Sequence, residues 1–273
     1  MRALRRIGVI LAIILILVLF ALNFLSRNYV VPVLMYHSIN THIAKEMSGL
    51  AVSPATFDRQ MNFLRSHNYN VVPLEDLVAL IKDNKKIPPK TIAITFDDGY
   101  ADNYSYAFPV LKKYRIPATI FIIVNEVGRK EGDRLSWEQI KEMQGSGLVT
   151  FGSHTLRHER LVNIKSPQDL KAEVFESKKI LENKLSQKIN LFSYPEGCYN
   201  REVRQLVIDA GYSAAVATIP GKQPLKNDIF LLKRIRISEN SRDMFIFAVE
   251  TSGYYTMMKE YKKERKDRKN GRK

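Results

Sequence analysis

The decapeptide "TIAITFDDGY", Thr91–Tyr100, poses the question from which the fold follows. Thr91, Ile92, Ile94 and Thr95 favour a strand and lead through Phe96 into two adjacent carboxylates, Asp97 and Asp98, before Gly99 breaks the run. Like charges side by side repel, and aspartate is a poor strand residue. A strand that ends on such a pair needs something at its mouth that neutralises one of the two charges.

Other short apolar runs alternate with helical patterns on both sides of this one. Strands are expected at Val31–Tyr36, Asn70–Val72, Thr91–Phe96, Ala118–Val124, Leu148–Gly152, Leu191–Tyr194, Ala214–Thr218 and Leu231–Ile237. Between them lie helix starts: Ser53 followed by Pro54, Ser136 with Gln139 in capping-box spacing, and Ser166 followed by Pro167. A further helix runs from about Arg201 to Ala210 and stops at Gly211. Strands that alternate with helices imply an α/β protein with a parallel sheet, open or closed into a barrel. The chain's 273 residues, 45% of them hydrophobic, suffice for one such core. In these folds sites gather at the carboxyl ends of the strands, where Asp97 and Asp98 lie.

The amino terminus reads differently. Arg2, Arg5 and Arg6 precede an uncharged run, 7–25, close to the ~20 apolar residues that span a bilayer as a helix. The following "ALNFLSRN" offers no A-x-A cleavage pattern, so the run is expected to be an uncleaved transmembrane anchor. The basic stub, 1–6, stays in the cytoplasm, and the globular part, 28–258, lies outside the cell membrane. Net charge is +15, and the tail 259–273 carries nine basic and three acidic residues. It is either a solvated end or a surface for anionic wall polymer or lipid headgroups. Nucleic acid is excluded as a partner for a domain facing outward. Cys198 stands alone, so the chain forms no internal disulfide.

Other strand ends carry chemistry too. "LVTFGSHTLRH" leads through Gly152 to His154 and His158, a spacing that can share one face of a helical turn and hold a divalent ion. His37 ends the first strand after the anchor, and in "LFSYPEGCYN" Pro195 and Gly197 force a turn. Two imidazoles and a carboxylate make a three-ligand site with open positions for water and substrate. Asp98 would be the ligand, and Asp97, left off the ion, would be the base.

"TFDDGY" followed by "SHTLRH" resembles the first two motifs of the polysaccharide deacetylase family, the NodB-homology domain of carbohydrate esterases. "YPEG" is similar to its third motif, Arg-x-Pro-Tyr-Gly, except that Ser193 stands where the motif arginine is usual and Glu196 where the tyrosine is. The resemblance covers about Val31 to Ile237. The family's carboxyl-terminal catalytic histidine has no counterpart here, since no histidine follows His158. The branch that deacetylates poly-β-1,6-N-acetylglucosamine is circularly permuted and carries that histidine first, and "VLMYHSI" resembles its opening strand.

The resemblance implies a distorted, permuted (β/α)7 barrel that removes N-acetyl groups from N-acetylglucosamine residues of an extracellular polysaccharide. Asp97 would be the base and His37 the general acid. Asp98, His154 and His158 would hold one divalent ion, Zn²⁺ first and Co²⁺, Ni²⁺ or Mn²⁺ as alternatives. Tyr194, Pro195 and Glu196 would meet substrate, and Arg234 or Arg236 would replace the missing arginine. Peptidoglycan and acetylated xylan are the alternative substrates. A catalytically degraded carbohydrate-binding protein is the alternative class, although a simple metal site has no need of Asp97.

Overall fold

Each ladder of the main sheet is parallel, as alternating strands and helices require. The computed structural model describes residues 6, 11, 13–20, 23–24, 29–43, 47–129, 133–218 and 228–269. Its strands are β1 (Val33–Tyr36), β2 (Ser38–Ile39), β3 (Ala51–Val52), β4 (Asn70–Val71), β5 (Thr91–Phe96), β6 (Ala118–Ile122), β7 (Val149–Ser153), β8 (Leu191–Ser193), β9 (Ala214–Ala217), β10 (Leu232–Lys233) and β11 (Ile235–Arg236). The helices are α1 (Pro54–Ser66), α2 (Leu74–Lys82), α3 (Phe108–Tyr114), α4 (Trp137–Gly145), α5 (Pro167–Leu185), α6 (Arg201–Asp209), α7 (Met244–Thr251) and α8 (Tyr255–Lys269).

The sheet runs β10-β9-β8-β7-β6-β5-β1-β11, and its two outermost strands are neighbours in sequence. Leu232 and Lys233 pair with Val216 and Ala217 of β9, whereas Ile235 and Arg236 pair with Leu34 and Met35 of β1. Only Arg234 separates the two halves. The run 232–236 therefore bridges both ends of the sheet and makes it barrel-like, with seven strand positions among the described residues. All six residues of β5 are buried, as are the four of β1. That is why these strands read as continuous apolar runs and not as alternating ones. β4 pairs only with β5, at its beginning, so the stretch expected at Asn70–Val72 lies beside the ring.

Local signals place the helices. Ser53 accepts from Thr56 N–H at 3.3 Å and Ser166 from Asp169 N–H at 3.2 Å, each with a proline in the first turn. Ser136 and Gln139 exchange both bonds of a capping box. The carboxyl ends of β1, β5, β7 and β8 deliver His37, Asp97, His154 and Tyr194 to one end of the sheet.

Two compact units divide the chain, Pro32–Ala248 and, separately, Met1–Val31 with Val249–Lys273. Within the second unit Val30 N–H donates to Gly253 O at 2.9 Å and the Tyr29 ring meets Tyr254 edge-on at 5.7 Å. The expected membrane run, 7–25, lies largely outside the described residues; Leu11, 13–20 and 23–24 are described, helical and exposed. Among the described residues no helix is long and apolar enough to cross a membrane. The basic tail is helical as far as Lys269, and 270–273 lie outside the described residues.

Candidate metal centre and active site

β5 ends with Asp97 still in register, its N–H donating to Tyr36 O of β1 at 3.0 Å. Asp98 and Gly99 then both adopt left-handed conformations, φ 71° and 66°. The two carboxylates therefore leave the backbone in different directions and acquire different surroundings. A Cβ on Gly99 would also stand 2.9 Å from Ile122 Cδ1.

Asp97 is buried and held by a two-pronged ion pair. Arg234 Nη1 donates to its Oδ1 and Nη2 to its Oδ2, each at 2.6 Å, with the Arg234 side chain 0% exposed. Arg234 Nη2 also donates to Ser193 Oγ at 2.9 Å, and that hydroxyl lies 3.4 Å from Asp97 Oδ2. Burial alone would raise the Asp97 pKa, but the charge of Arg234 and its hydrogen bonds outweigh it. The carboxyl stays well below the usual range and is ionised at neutral pH. Of the two arginines that could replace the missing one, Arg234 reaches the site, while Arg236 is exposed.

Asp98, His154 and His158 come together. Asp98 Oδ1 lies 3.5 Å from His154 Nε2 and 3.7 Å from His158 Nε2, and one ligand atom from each residue falls within 4.8 Å of the others. Two atoms bound at ~2.0–2.2 Å to a single tetrahedral ion stand roughly 3.4 Å apart, so the trio fits one ion. His154 Nδ1 lies 2.8 Å from Ser193 O, which leaves Nε2 facing Asp98. Burial pushes the His154 imidazole down to about 4, so it is neutral, the form that ligates. The histidines do not share a helical turn as their spacing suggested. They lie on a loop after β7 in which Thr155 (φ 69°) and His158 (φ 63°) are left-handed. That bend brings the rings to 4.6 Å.

His37 follows β1, beside Asp97. Burial lowers its imidazole to about 4, with the Asp97 charge acting the other way, and its buried Nδ1 has no hydrogen-bond partner among the described residues. Its backbone is anchored by residues that the sequence reading missed. Asn103 Nδ2 donates to His37 O at 2.8 Å and to Asp102 Oδ1 at 3.0 Å, and Ser38 Oγ donates to Asp102 Oδ2 at 2.5 Å. The available signal was "ADNY", Ala101–Tyr104, so soon after a strand-end acid pair. His42 and His67 are exposed, and neither belongs to the site.

The "YPEG" turn divides its expected roles. Tyr194 is fully buried, its ring packed near Phe192 at 5.3 Å and Tyr199 at 5.4 Å. Its side chain packs in the core, so a contact with substrate would fall to its backbone. Pro195 is buried as well. Glu196 is exposed, left-handed (φ 54°) and paired with Arg160, whose Nε donates to Oε2 at 2.6 Å. Gly197 (φ 69°) is required here, because a Cβ would stand 2.6 Å from Thr218 N.

A strand-end carboxylate clamped by arginine, beside an Asp-His-His trio, suits a hydrolase on a barrel-like α/β fold. Residues 84–215 match the polysaccharide deacetylase family. YxkH of Bacillus subtilis (strain 168), assigned to the polysaccharide deacetylases, is 38% identical over 207 residues, 76% of this chain and 71% of that protein. The poly-β-1,6-N-acetyl-D-glucosamine N-deacetylase of Staphylococcus aureus (strain MRSA252) is 28% identical over 74% of this chain and 73% of its own. Among solved structures, the Streptococcus pyogenes deacetylase PplD in complex with acetate superposes with TM-score 0.70 at 32% identity, covering 78% of this chain and 94% of PplD. IcaB from Ammonifex degensii gives TM-score 0.70 at 26% identity, covering 83% and 97%. This chain belongs to the polysaccharide deacetylase family and is an amide hydrolase of that class.

Removing one partner of a buried ion pair strands the other, typically at a cost of ~3–5 kcal/mol. Arg234→Met should therefore lower unfolding stability by about that amount in urea titrations and raise the Asp97 pKa. Unchanged stability would show that the clamp contributes nothing.

Proposed function

We propose that this chain removes acetyl groups from N-acetylglucosamine residues of extracellular poly-β-1,6-N-acetylglucosamine, using one divalent ion, Zn²⁺, held by Asp98, His154 and His158. The observation that carries this reading is the division of labour between adjacent residues. Asp98 lies within ligand distance of two imidazoles, while Asp97, whose Oδ2 is 3.9 Å from His154 Nε2, has both carboxylate oxygens engaged by Arg234. The Staphylococcus relative's named substrate, and a histidine directly after the first strand and not the last, favour the β-1,6 polymer and a permuted barrel.

When bound, the ion supplies Lewis acidity, polarising the acetamide carbonyl and lowering the pKa of a coordinated water towards ~7. The residues do the rest. Asp97, kept ionised by Arg234, accepts a proton from the attacking water as its oxygen bonds to the carbonyl carbon. In the turn Tyr194–Gly197 the Glu196 N–H would serve the developing oxyanion, since Pro195 has no N–H and those of Tyr194 and Gly197 donate to Val216 O and Tyr194 O. His37 is neutral at rest, and the negative charge that develops beside it raises its proton affinity. It takes up the proton that Asp97 received from the water, and passes it to the departing nitrogen as the C–N bond breaks, which leaves Asp97 ionised and His37 neutral again. Acetate and a glucosamine unit result.

We place the enzyme at the cell membrane, with 7–25 as a single-pass anchor, the catalytic part outside, and the basic tail 259–273 against anionic wall polymer or lipid. The uncharged apolar run and the exposure of 13–20 support this.

The direct test is acetate release by the detergent-solubilised full chain, loaded with zinc, on poly-β-1,6-N-acetylglucosamine, peptidoglycan and acetylated xylan. Release chiefly from the first is expected. Release only from another polymer would overturn the substrate, and none from any of them would favour the carbohydrate-binding alternative.

His37→Ala should keep its zinc yet lose hydrolysis by roughly 10²–10⁴-fold on the amide, the usual worth of a positioned proton donor. An aryl acetate should suffer less, because a phenolate leaves without a proton. Equal losses on both would remove His37 from the acid role.

A further inference from the structure

The loop that carries His154 and His158 is tied at every residue, and one buried carboxylate outside the site supplies much of the tying. Glu173, on α5, is 0% exposed. Its Oε2 accepts from the N–H groups of Leu156 and Arg157 at 2.9 and 3.0 Å, and its Oε1 accepts from Arg157 Nε at 2.6 Å. One helical turn along α5, Ser177 Oγ accepts from Ser153 Oγ at 2.9 Å, and Ser153 Oγ accepts from Thr155 N–H at 3.2 Å. On the opposite side, Val124 N–H and Asn125 N–H donate to the carbonyls of Thr155 and Leu156 at 3.1 and 3.0 Å. His158 N–H closes the turn on Thr155 Oγ1 at 3.0 Å.

These bonds act against a real preference of the chain. Thr155 and His158 sit at left-handed φ, a conformation that persists in non-glycine residues only where the surroundings over-determine it. A buried carboxylate is itself unfavourable without charge-assisted partners, and all those of Glu173 lie between the two histidines. Glu173 touches neither imidazole. Its effect falls on the backbone that sets their convergence on Asp98.

We propose that Glu173 is a positioning residue for the metal-ligand pair, holding loop 154–158 in the geometry that brings His154 and His158 onto Asp98. The proposal rests on the metal reading above. Outer residues that orient ligands typically contribute 10–100-fold to metal affinity.

The test uses the detergent-solubilised full chain, stripped with a chelator and titrated with Zn²⁺ against a chromophoric competitor. Wild type, Glu173→Gln and Arg157→Ala are compared, with circular dichroism and thermal unfolding of each metal-free form. Glu173→Gln should bind zinc about 10–100-fold more weakly while keeping wild-type secondary structure. Its kcat at saturating zinc should stay near wild type. Arg157→Ala, which leaves the two backbone bonds in place, should weaken zinc binding by a smaller factor. Wild-type zinc affinity in Glu173→Gln, with only the melting temperature lowered, would make Glu173 a purely structural group and overturn the proposal. Should Glu173→Gln not fold, undiminished zinc affinity in Arg157→Ala would overturn it instead. A wild type that binds no zinc would overturn the metal reading as well, which separates the two failures.

Discussion

Two hydrogen bonds of 2.6 Å join the Arg234 guanidinium to the Asp97 carboxylate, with neither side chain more than 3% exposed. Arg234 is also the residue at which the closing strand breaks, its two halves pairing with opposite edges of the sheet. The contact that keeps the Asp97 carboxylate ionised therefore sits at the seam where the barrel-like sheet closes. Without the arginine, burial would push Asp97 towards its neutral form, which cannot accept a proton. Without Asp97, the seam would carry an unpaired buried cation, at a cost of several kcal/mol.

The same arrangement lets the Asp97–Asp98 pair exist. Left-handed turns at Asp98 and Gly99 separate the side chains, so that one is neutralised by Arg234 and the other faces two imidazoles. Burial keeps His154 neutral and therefore fit to ligate. Four non-glycine residues at this end of the sheet, Asp98, Thr155, His158 and Glu196, are left-handed, and the surrounding hydrogen bonds hold them there.

Much of this was legible in the residues, for identifiable reasons. β5 was found to the residue because a strand buried on both faces reads as an unbroken apolar run, and α1, α4 and α5 announced themselves through serine caps. α2 was missed because it follows Pro73 with no side-chain cap. The spacing of His154 and His158 fits a helical turn and a bent loop equally, and φ decides between them. Arg234 and Arg236 could not be separated in the sequence, since residues two apart on a regular strand share a face. The break at Arg234 buries one and exposes the other. The burial of the Tyr194 side chain was not legible, because a motif gives a position and not the direction of a side chain.

The central claim is that Asp97 is a proton acceptor standing beside the metal site and not part of it. Asp97→Asn tests it most directly, by measuring zinc content and acetate release on the same preparation. The account predicts full zinc occupancy with turnover lowered by roughly 10²–10⁴-fold. Zinc lost together with activity would make Asp97 a ligand, and near-normal turnover would make it structural; either result contradicts the account.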